Sequence, residues 1–264
     1  MSGQARHGRV AAFFDLDGTL VGSPSLEERF FLGLRREGVI PARNYLLWLS
    51  RAVWLAPRGM EMMRHANKMY LRGVSWRQDG SRGGAGQHGQ PRMAVPRFFP
   101  KGVDQVAWHA RQGHGIVLVS GTLAPLAQEM SLALVIRLGV RGIAASVTVC
   151  ATRLEEIDGR WTGRIVGDAM FGAAKARAVR RLAEENGFDL ARCYAYGDSW
   201  GDRWMLESVG RAVAVNPSAK LEALARKREW AVMAWLEKEL MERSRPVQRL
   251  PTRDETALNQ GKLA

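Results

Sequence analysis

Two carboxylates stand one residue apart in Phe14-Asp15-Leu16-Asp17-Gly18-Thr19-Leu20, at the end of an apolar run. With residues 10–14 as a buried strand, Asp15 and Asp17 leave its carboxyl end, where open α/β sheets place their chemistry. Oxygen ligands at the mouth of a sheet suit a hard cation such as magnesium. The same pair suits nucleophilic catalysis, one carboxylate attacking phosphorus while its neighbour moves protons. Asp-Gly is also a common turn dipeptide, so the pair alone leaves a solvated strand-to-turn junction open.

Three further groups follow in order along the chain. Ile116-Val117-Leu118-Val119 runs into Ser120-Gly121-Thr122, ahead of a helical pattern from Leu123 onward. Free N–H groups at a helix start attract anions and Gly121 lets the backbone come close, which would make a phosphate cradle. An ordinary strand-to-helix loop with a Ser cap uses the same residues. Next, Gly172-Ala173-Ala174-Lys175 opens a helix running through Val179 and Leu182. A cation in the first turn is poorly placed for the helix dipole, so Lys175 is expected to face a bound anion, a solvated lysine being the plain alternative. Finally, Tyr194-Ala195-Tyr196 leads into Gly197-Asp198-Ser199-Trp200-Gly201-Asp202, a second pair of acids after a short strand. If Asp202 begins a helix over 203–209, it can cap that helix while Asp198 reaches a metal.

The elements that must position these groups alternate. Apolar strand-like runs at Ile116, Val147, Tyr194 and Val213 are interleaved with helical patterns, which predicts an α/β fold with a doubly wound, mainly parallel sheet. Residues 147–153 and 161–166, separated by Asp158-Gly159, read as a hairpin, expected as an excursion beside the main sheet. At 264 residues with 46% apolar content, the chain has room for one α/β domain and a smaller inserted one.

The order Asp-x-Asp-Gly-Thr, Ser-Gly-Thr, Lys and Gly-Asp-x-x-x-Asp resembles the haloacid dehalogenase (HAD) superfamily of phosphohydrolases, over residues 10–235. Within it the chain is most similar to subfamily IB, the phosphoserine phosphatase-like branch, whose helical cap lies between the first and second motifs. The resemblance implies a HAD-like Rossmannoid core from 1–21 and 101–235 and a cap from 22–100. It implies Asp15 as the nucleophile that becomes an aspartyl phosphate, and Asp17 as general acid and then base. Ser120, the Gly121 backbone and Lys175 would hold the phosphoryl oxygens. Asp198, Asp15 and the main-chain carbonyl of Asp17 would bind Mg2+, with Asp202 supporting that site. Asp17 favours phosphate ester hydrolysis, because dehalogenases of the superfamily lack this second aspartate and its transporter ATPases carry threonine there. The implied activity is that of a phosphoric monoester hydrolase acting on a small phosphorylated metabolite.

The proposed cap is read as helical. Leu26, Phe30, Phe31 and Leu34 have helical spacing, as do Leu46, Leu49, Ala52, Val53 and Leu55, then Met62, Met63, Ala66 and Met69; the Met and Trp content is expected to fill a cap core, a lipophilic substrate pocket or membrane-facing surface being the alternative. Residues 78–91 are dense in glycine and lack periodicity, so a loop is expected there, as a lid or an insertion. One departure bears on substrate. The cap-side glutamate with which phosphoserine phosphatases hold the substrate's amino group falls at Pro24, and Glu27 and Glu28 lie one helical turn beyond.

Cys150 and Cys193 belong to no ligand pattern and are expected as buried free thiols. His65, His88, His109 and His114 show no ligand spacing and are read as surface or helix residues. The net charge of +13 is spread along the chain; it favours phosphorylated metabolites and weak contact with anionic lipid, and no basic-aromatic ladder turns it into specific nucleic-acid binding. The start of the chain lacks a signal-peptide pattern and no stretch of membrane-spanning length is free of charges, Pro and Gly, so a cytoplasmic protein without integral membrane association is expected. Residues 236–264 are expected to be a helix to Arg245 and then a disordered tail. Two other functions are compatible with these residues: a lysophospholipid-type phosphatase at a membrane surface, or a regulatory or scaffolding protein that keeps the fold.

Overall fold

The structure, a computed structural model, describes residues 8–59, 65–76 and 96–236. Its seven strands are β1 (Ala11–Phe14), β2 (Gly115–Leu123), β3 (Val147–Ile157), β4 (Arg160–Val166), β5 (Tyr194–Gly197), β6 (Arg211–Val215) and β7 (Ala231–Met233). They form one sheet in the order β4-β3-β2-β1-β5-β6-β7, parallel except for β4. The chain first grows the sheet outward from β1 through β2 and β3, then returns to the other side of β1 with β5. That reversal makes β1 and β5 the switch point of the sheet, where a crevice opens at the carboxyl ends of the strands.

The helices are α1 (Leu26–Arg36), α2 (Ala42–Leu55), α3 (Pro100–Arg111), α4 (Ala124–Val140), α5 (Ala173–Asn186), α6 (Arg203–Leu206) and α7 (Ala219–Lys227). Successive side chains of a strand point to opposite faces, and the core divides accordingly. Ala12 and Phe14 pack with Leu126, Met130 and Leu134 of α4 and Val103 and Val106 of α3. Ala11 and Phe13 pack on the other face with Val179 of α5, Met205 of α6 and Leu221 of α7. Both layers are fully buried at β1, each large side chain contributing roughly 1.5–3 kcal/mol by leaving water. Pro100 opens α3, where its missing N–H is not needed, and Gly187 closes α5 in the left-handed conformation.

The hairpin corrects the expectation of an excursion. The first half of β3, from Val147 to Thr152, pairs with β2 in parallel and so belongs to the main sheet. Only from Arg153 does it turn to β4, because β2 ends at Leu123 and leaves the longer strand without that partner.

Between β1 and α3 the chain leaves the sheet and returns, and the two passes run side by side. Val21 bridges Phe98 and the amide of Phe99 donates to the carbonyl of Leu20 at 2.9 Å. Leu26, Phe30 and Leu34 of α1 are buried in continuity with the α3–α4 core layer. Ser25 caps α1 by accepting from the amide of Glu28 at 3.2 Å. Trp161 of β4 reaches up to this segment, stacking on Trp76 with ring centroids 6.0 Å apart and meeting Phe30 edge-on.

Helix α2 forms where its spacing predicts, yet its apolar stripe faces outward. Leu46, Leu49 and Val53 are 70%, 54% and 75% exposed, and only Asn44 and Leu55 of the helix are buried. The physical reason is the anchor: Asn44 donates to the carbonyls of Tyr70 and Arg72, which turns the polar edge of α2 inward. Of the methionine series, Met62 and Met63 lie outside the described residues, and Met69 opens a single 3-10 turn over Met69–Leu71. The Gly-rich stretch 78–91 and residues 237–264 also lie outside the described residues. Among the described residues no helix is long and apolar enough to cross a membrane. Cys150 and Cys193 are buried free thiols, as expected.

His109 is a helix residue, but a wholly buried one. It lies between Phe14 and Tyr196, with Nε2 2.8 Å from the Tyr196 hydroxyl and Nδ1 2.8 Å from His114 Nδ1. Burial and His114 hold it neutral, pushing its pKa down to about 3.

Candidate active site

The register of the sheet brings the acidic residues together. Phe14 stands opposite Leu118 on β2 and Tyr196 on β5, so Asp15, Ser120 and Asp198 leave neighbouring strand ends. The amide of Asp15 still donates to the carbonyl of Tyr196 at 3.0 Å, fixing the end of β1 against β5. Lys175, 160 positions later, bridges two acids, with Nζ 2.7 Å from Asp15 Oδ1 and 2.6 Å from Asp202 Oδ1. All three side chains are buried.

Asp202 does not cap the helix that follows it. Its Oδ2 turns back to accept from the amide and hydroxyl of Ser199, at 3.0 and 2.6 Å, while Oδ1 faces Lys175. The stretch from Trp200 to Asp202 is a 3-10 turn, so the carboxylate is carried inward. Asp198 accepts from the Thr19 hydroxyl at 3.3 Å. Gly18 lies against it with φ of +82°, and a Cβ there would fall 2.1 Å from Asp198 Oδ2, so only glycine fits.

One carboxylate oxygen from each of Asp15, Asp198 and Asp202 can lie within 4.8 Å of the others. Three carboxylates face one ammonium, so full ionisation of all three would leave two negative charges unbalanced. The electrostatics show the strain. Burial, together with Asp202 and Asp15, pushes Asp198 up to about 9, and burial with Asp202 pushes Asp15 up to about 7 against the pull of Lys175. Burial opposes ionisation of Asp202 too, but Lys175 and Ser199 hold it below its ordinary value. Burial alone would lower Lys175, yet Asp15 and Asp202 raise it, so it stays an ammonium. A hard divalent cation fits this donor set of buried carboxylate oxygens and its uncompensated charge.

Asp17 stands apart from the cluster. Its Oδ1 accepts from the amide of Leu26 at 2.7 Å, the first residue of α1. Burial raises its pKa to about 6, a rise that the Leu26 hydrogen bond moderates.

The Ser-Gly-Thr group is strand end, not helix cap. Strand β2 continues through Leu123 with a register shift after Ser120, and α4 begins at Ala124 with no side-chain cap. Ser120 is buried and accepts from the amide of Thr122 at 3.3 Å. A Cβ on Gly121 would meet the Met170 carbonyl at 3.3 Å and His65 Nδ1 at 3.4 Å. Sequence reasoning missed what holds this loop: Thr152 donates to the Gly121 carbonyl at 2.9 Å and accepts from the Met170 amide at 3.1 Å. It also missed Asn216, which donates to the Gly18 carbonyl at 3.2 Å and accepts from the amides of Trp235 and Leu236. The Asn-Pro pair after β6 was the available signal for the second; Thr152 carried none.

The haloacid dehalogenase-like hydrolase family model matches residues 12–207. A phosphoserine phosphatase of Mycobacterium tuberculosis is 32% identical over 226 residues, covering 84% of this chain and 70% of the relative. A probable phosphatase of the same organism is 31% identical over 237 residues, covering 88% and 78%. The solved structure of a Bordetella pertussis protein of unknown function superposes with a TM-score of 0.60 at 27% identity, covering 87% of this chain and all of that one. A probable phosphoserine phosphatase from Vibrio cholerae shares the fold, with a TM-score of 0.53 at 18% identity over 83% of this chain and 61% of that one.

Proposed function

This chain belongs to the haloacid dehalogenase-like hydrolase family and is a phosphatase of its phosphoserine phosphatase-like group, and on that premise we propose that it hydrolyses a small phosphomonoester with magnesium through an aspartyl phosphate on Asp15. The observation that carries this reading is the buried Asp15–Lys175 contact at 2.7 Å inside an acidic cluster that one ammonium does not balance. The Asp15 carboxylate attacks phosphorus while the ester P–O bond breaks, and Asp17 gives its proton to the departing oxygen. Water then attacks the phosphorus of the aspartyl phosphate, Asp17 takes a proton from it, and the bond to Asp15 breaks to release phosphate. A group with a pKa of about 6 can serve in both directions near neutrality.

Ser120, the Gly121 amide and Lys175 would hold the phosphoryl oxygens in line. Asp15, Asp198 and the main-chain carbonyl of Asp17 would hold a magnesium ion, which when bound supplies charge neutralisation at those oxygens. Asp202 positions Lys175 through their 2.6 Å contact. The segment from Gly22 to Pro100 is the proposed cap over the site.

The test is hydrolysis of para-nitrophenyl phosphate, with magnesium and with chelator. Magnesium-dependent release by the wild type and a loss of at least about 10³-fold in a folded Asp15→Asn variant is the expected result. Retained activity in that variant would remove Asp15 from its role.

A second reading is favoured by the outward apolar face of α2, flanked by Arg43 and Arg51: a phosphatase for lysophospholipid-type substrates at a membrane surface. It predicts binding to anionic vesicles at physiological salt that Leu49→Glu abolishes, and failure to co-sediment with such vesicles rejects it.

A further inference from the structure

Asp17, the proposed proton carrier, is held from outside the sheet. Its Oδ1 accepts from the amide of Leu26 at 2.7 Å, so the place of that carboxyl group follows the place of the first turn of α1. Arg29 ties this turn to the linker before it. Its Nε donates to the Pro24 carbonyl at 2.8 Å, and one terminal nitrogen donates to the carbonyls of Gly22 and Ser23 at 3.3 and 3.0 Å. Residues 22–29 therefore form one hydrogen-bonded piece.

Glu27, next to Leu26, joins this piece to a segment 41 positions later. The buried Lys68 ammonium donates to both Glu27 oxygens, at 2.5 and 2.6 Å, and the Tyr70 hydroxyl donates to Oε1 at 2.8 Å. The segment carrying Lys68 and Tyr70 is fastened in turn to α2. Asn67 donates to the Trp48 carbonyl at 2.8 Å, and Asn44 donates to the carbonyls of Tyr70 and Arg72 at 3.1 and 2.7 Å. Directed contacts thus run from α2 through Lys68 and Glu27 to the amide that holds Asp17.

Burying a lysine beside a carboxylate gains little net stability over apolar packing of the same volume, because both charges must leave water. What the pair adds is direction. Apolar side chains slide past one another, whereas an ammonium on both carboxylate oxygens and a hydroxyl on one of them hold Glu27 at a single position. Placement at that scale matters to a reaction, since a displacement of about 1 Å can cost about 10²-fold in rate.

We infer that Glu27, Lys68 and Tyr70 are positioning residues for the general acid, fixing the first turn of α1 so that the Leu26 amide holds the Asp17 carboxyl group in place for proton transfer. This rests on the phosphatase reading above. With Oδ1 taken up as an acceptor, Oδ2 is the oxygen that carries the proton. The effect therefore falls on the step that needs this proton. An alkoxide leaves phosphorus only with a proton from the acid, whereas a stabilised phenolate departs with little help. Loosening the contact is expected to slow esters of the first kind more than esters of the second.

The test compares kcat/KM for benzyl phosphate and para-nitrophenyl phosphate, with magnesium, in the wild type, in the double variant Glu27→Gln/Lys68→Met and in Tyr70→Phe. The paired substitution leaves no buried charge unpaired and keeps the net charge near Asp17 unchanged; circular dichroism checks that it folds. Because kcat/KM covers the steps up to departure of the leaving group, it reads the acid step and not the later attack of water. The ratio of benzyl to para-nitrophenyl ester is expected to fall about tenfold in the double variant and about threefold in Tyr70→Phe, a part of the roughly 10²- to 10⁴-fold that a positioned acid supplies. A merely structural role would lower both esters together and leave the ratio where it was. An unchanged ratio in the folded double variant overturns the inference; where that variant does not fold, Tyr70→Phe decides in the same way. Hydrolysis of neither ester by the wild type sinks the phosphatase reading and this inference with it, whereas hydrolysis with an unchanged ratio sinks this inference alone.

Discussion

Asp17 and its neighbours show how burial sets the state of single residues. Asp15, Asp17 and Asp198 all hold protons more tightly in the folded chain than their ordinary value of 3.8, at about 7, 6 and 9. A carboxylate raised in this way contributes its stability fully below its unfolded pKa and loses it as pH rises through the folded value. Metal-free protein is therefore expected to lose stability as pH rises from the ordinary carboxylate value of 3.8 to about 9, the highest of the three folded values. The proposed magnesium ion would bind the ionised cluster, so its addition is expected to raise the melting temperature more at pH 8 than at pH 5. Thermal unfolding with chelator and with magnesium checks both; a melting temperature that rises with pH in chelator would contradict the buried cluster. At this scale the acids were legible because each stands in a short local pattern at the end of an apolar run. Thr152 and the engagement of Glu27 by Lys68 were not, since nothing near a residue in sequence reports which distant group it will meet.

At the scale of elements, one side chain of β4 contributes to the joint between the sheet and the inserted segment. Trp161 packs against Trp76 and Phe30, while its amide and carbonyl bond Val74 and Gly73 at 2.8 and 2.7 Å. Replacing it with alanine removes that packing, and Trp161→Ala is expected to cost about 3–5 kcal/mol, measured as a shift in the urea unfolding midpoint followed by circular dichroism. A change below about 1 kcal/mol would mean that the hairpin does not anchor the segment. Helices α1 and α2 were both readable from their spacing. The direction in which α2 presents its apolar stripe was not, because Asn44 decides it through carbonyls some 28 positions away. The hairpin's membership in the main sheet was likewise hidden: a β-rich run shows that a strand forms but not which neighbour it pairs with.

For the molecule as a whole, the net charge is +13 and the substrates proposed for it are anions. Raising ionic strength from about 0.02 M to about 0.3 M shortens the screening length from roughly 20 Å to roughly 6 Å. The expected result is a severalfold fall in kcat/KM for para-nitrophenyl phosphate with little change in kcat, measured at fixed magnesium. Unchanged kcat/KM would show that the charge is too dispersed to guide substrate. The amino-acid sequence by itself determined the α/β class, the order of the four motifs and the strand ends on which Asp15 and Asp198 stand, because periodicity and spacing are properties of contiguous residues. Only the tertiary structure decided that β5 returns beside β1, that Lys175 closes on Asp15 from 160 positions away, and that Lys68 takes the carboxylate of Glu27. Those outcomes follow from how two helical layers and an inserted segment pack on one twisted sheet, a competition among distant surfaces that no local stretch of chain encodes.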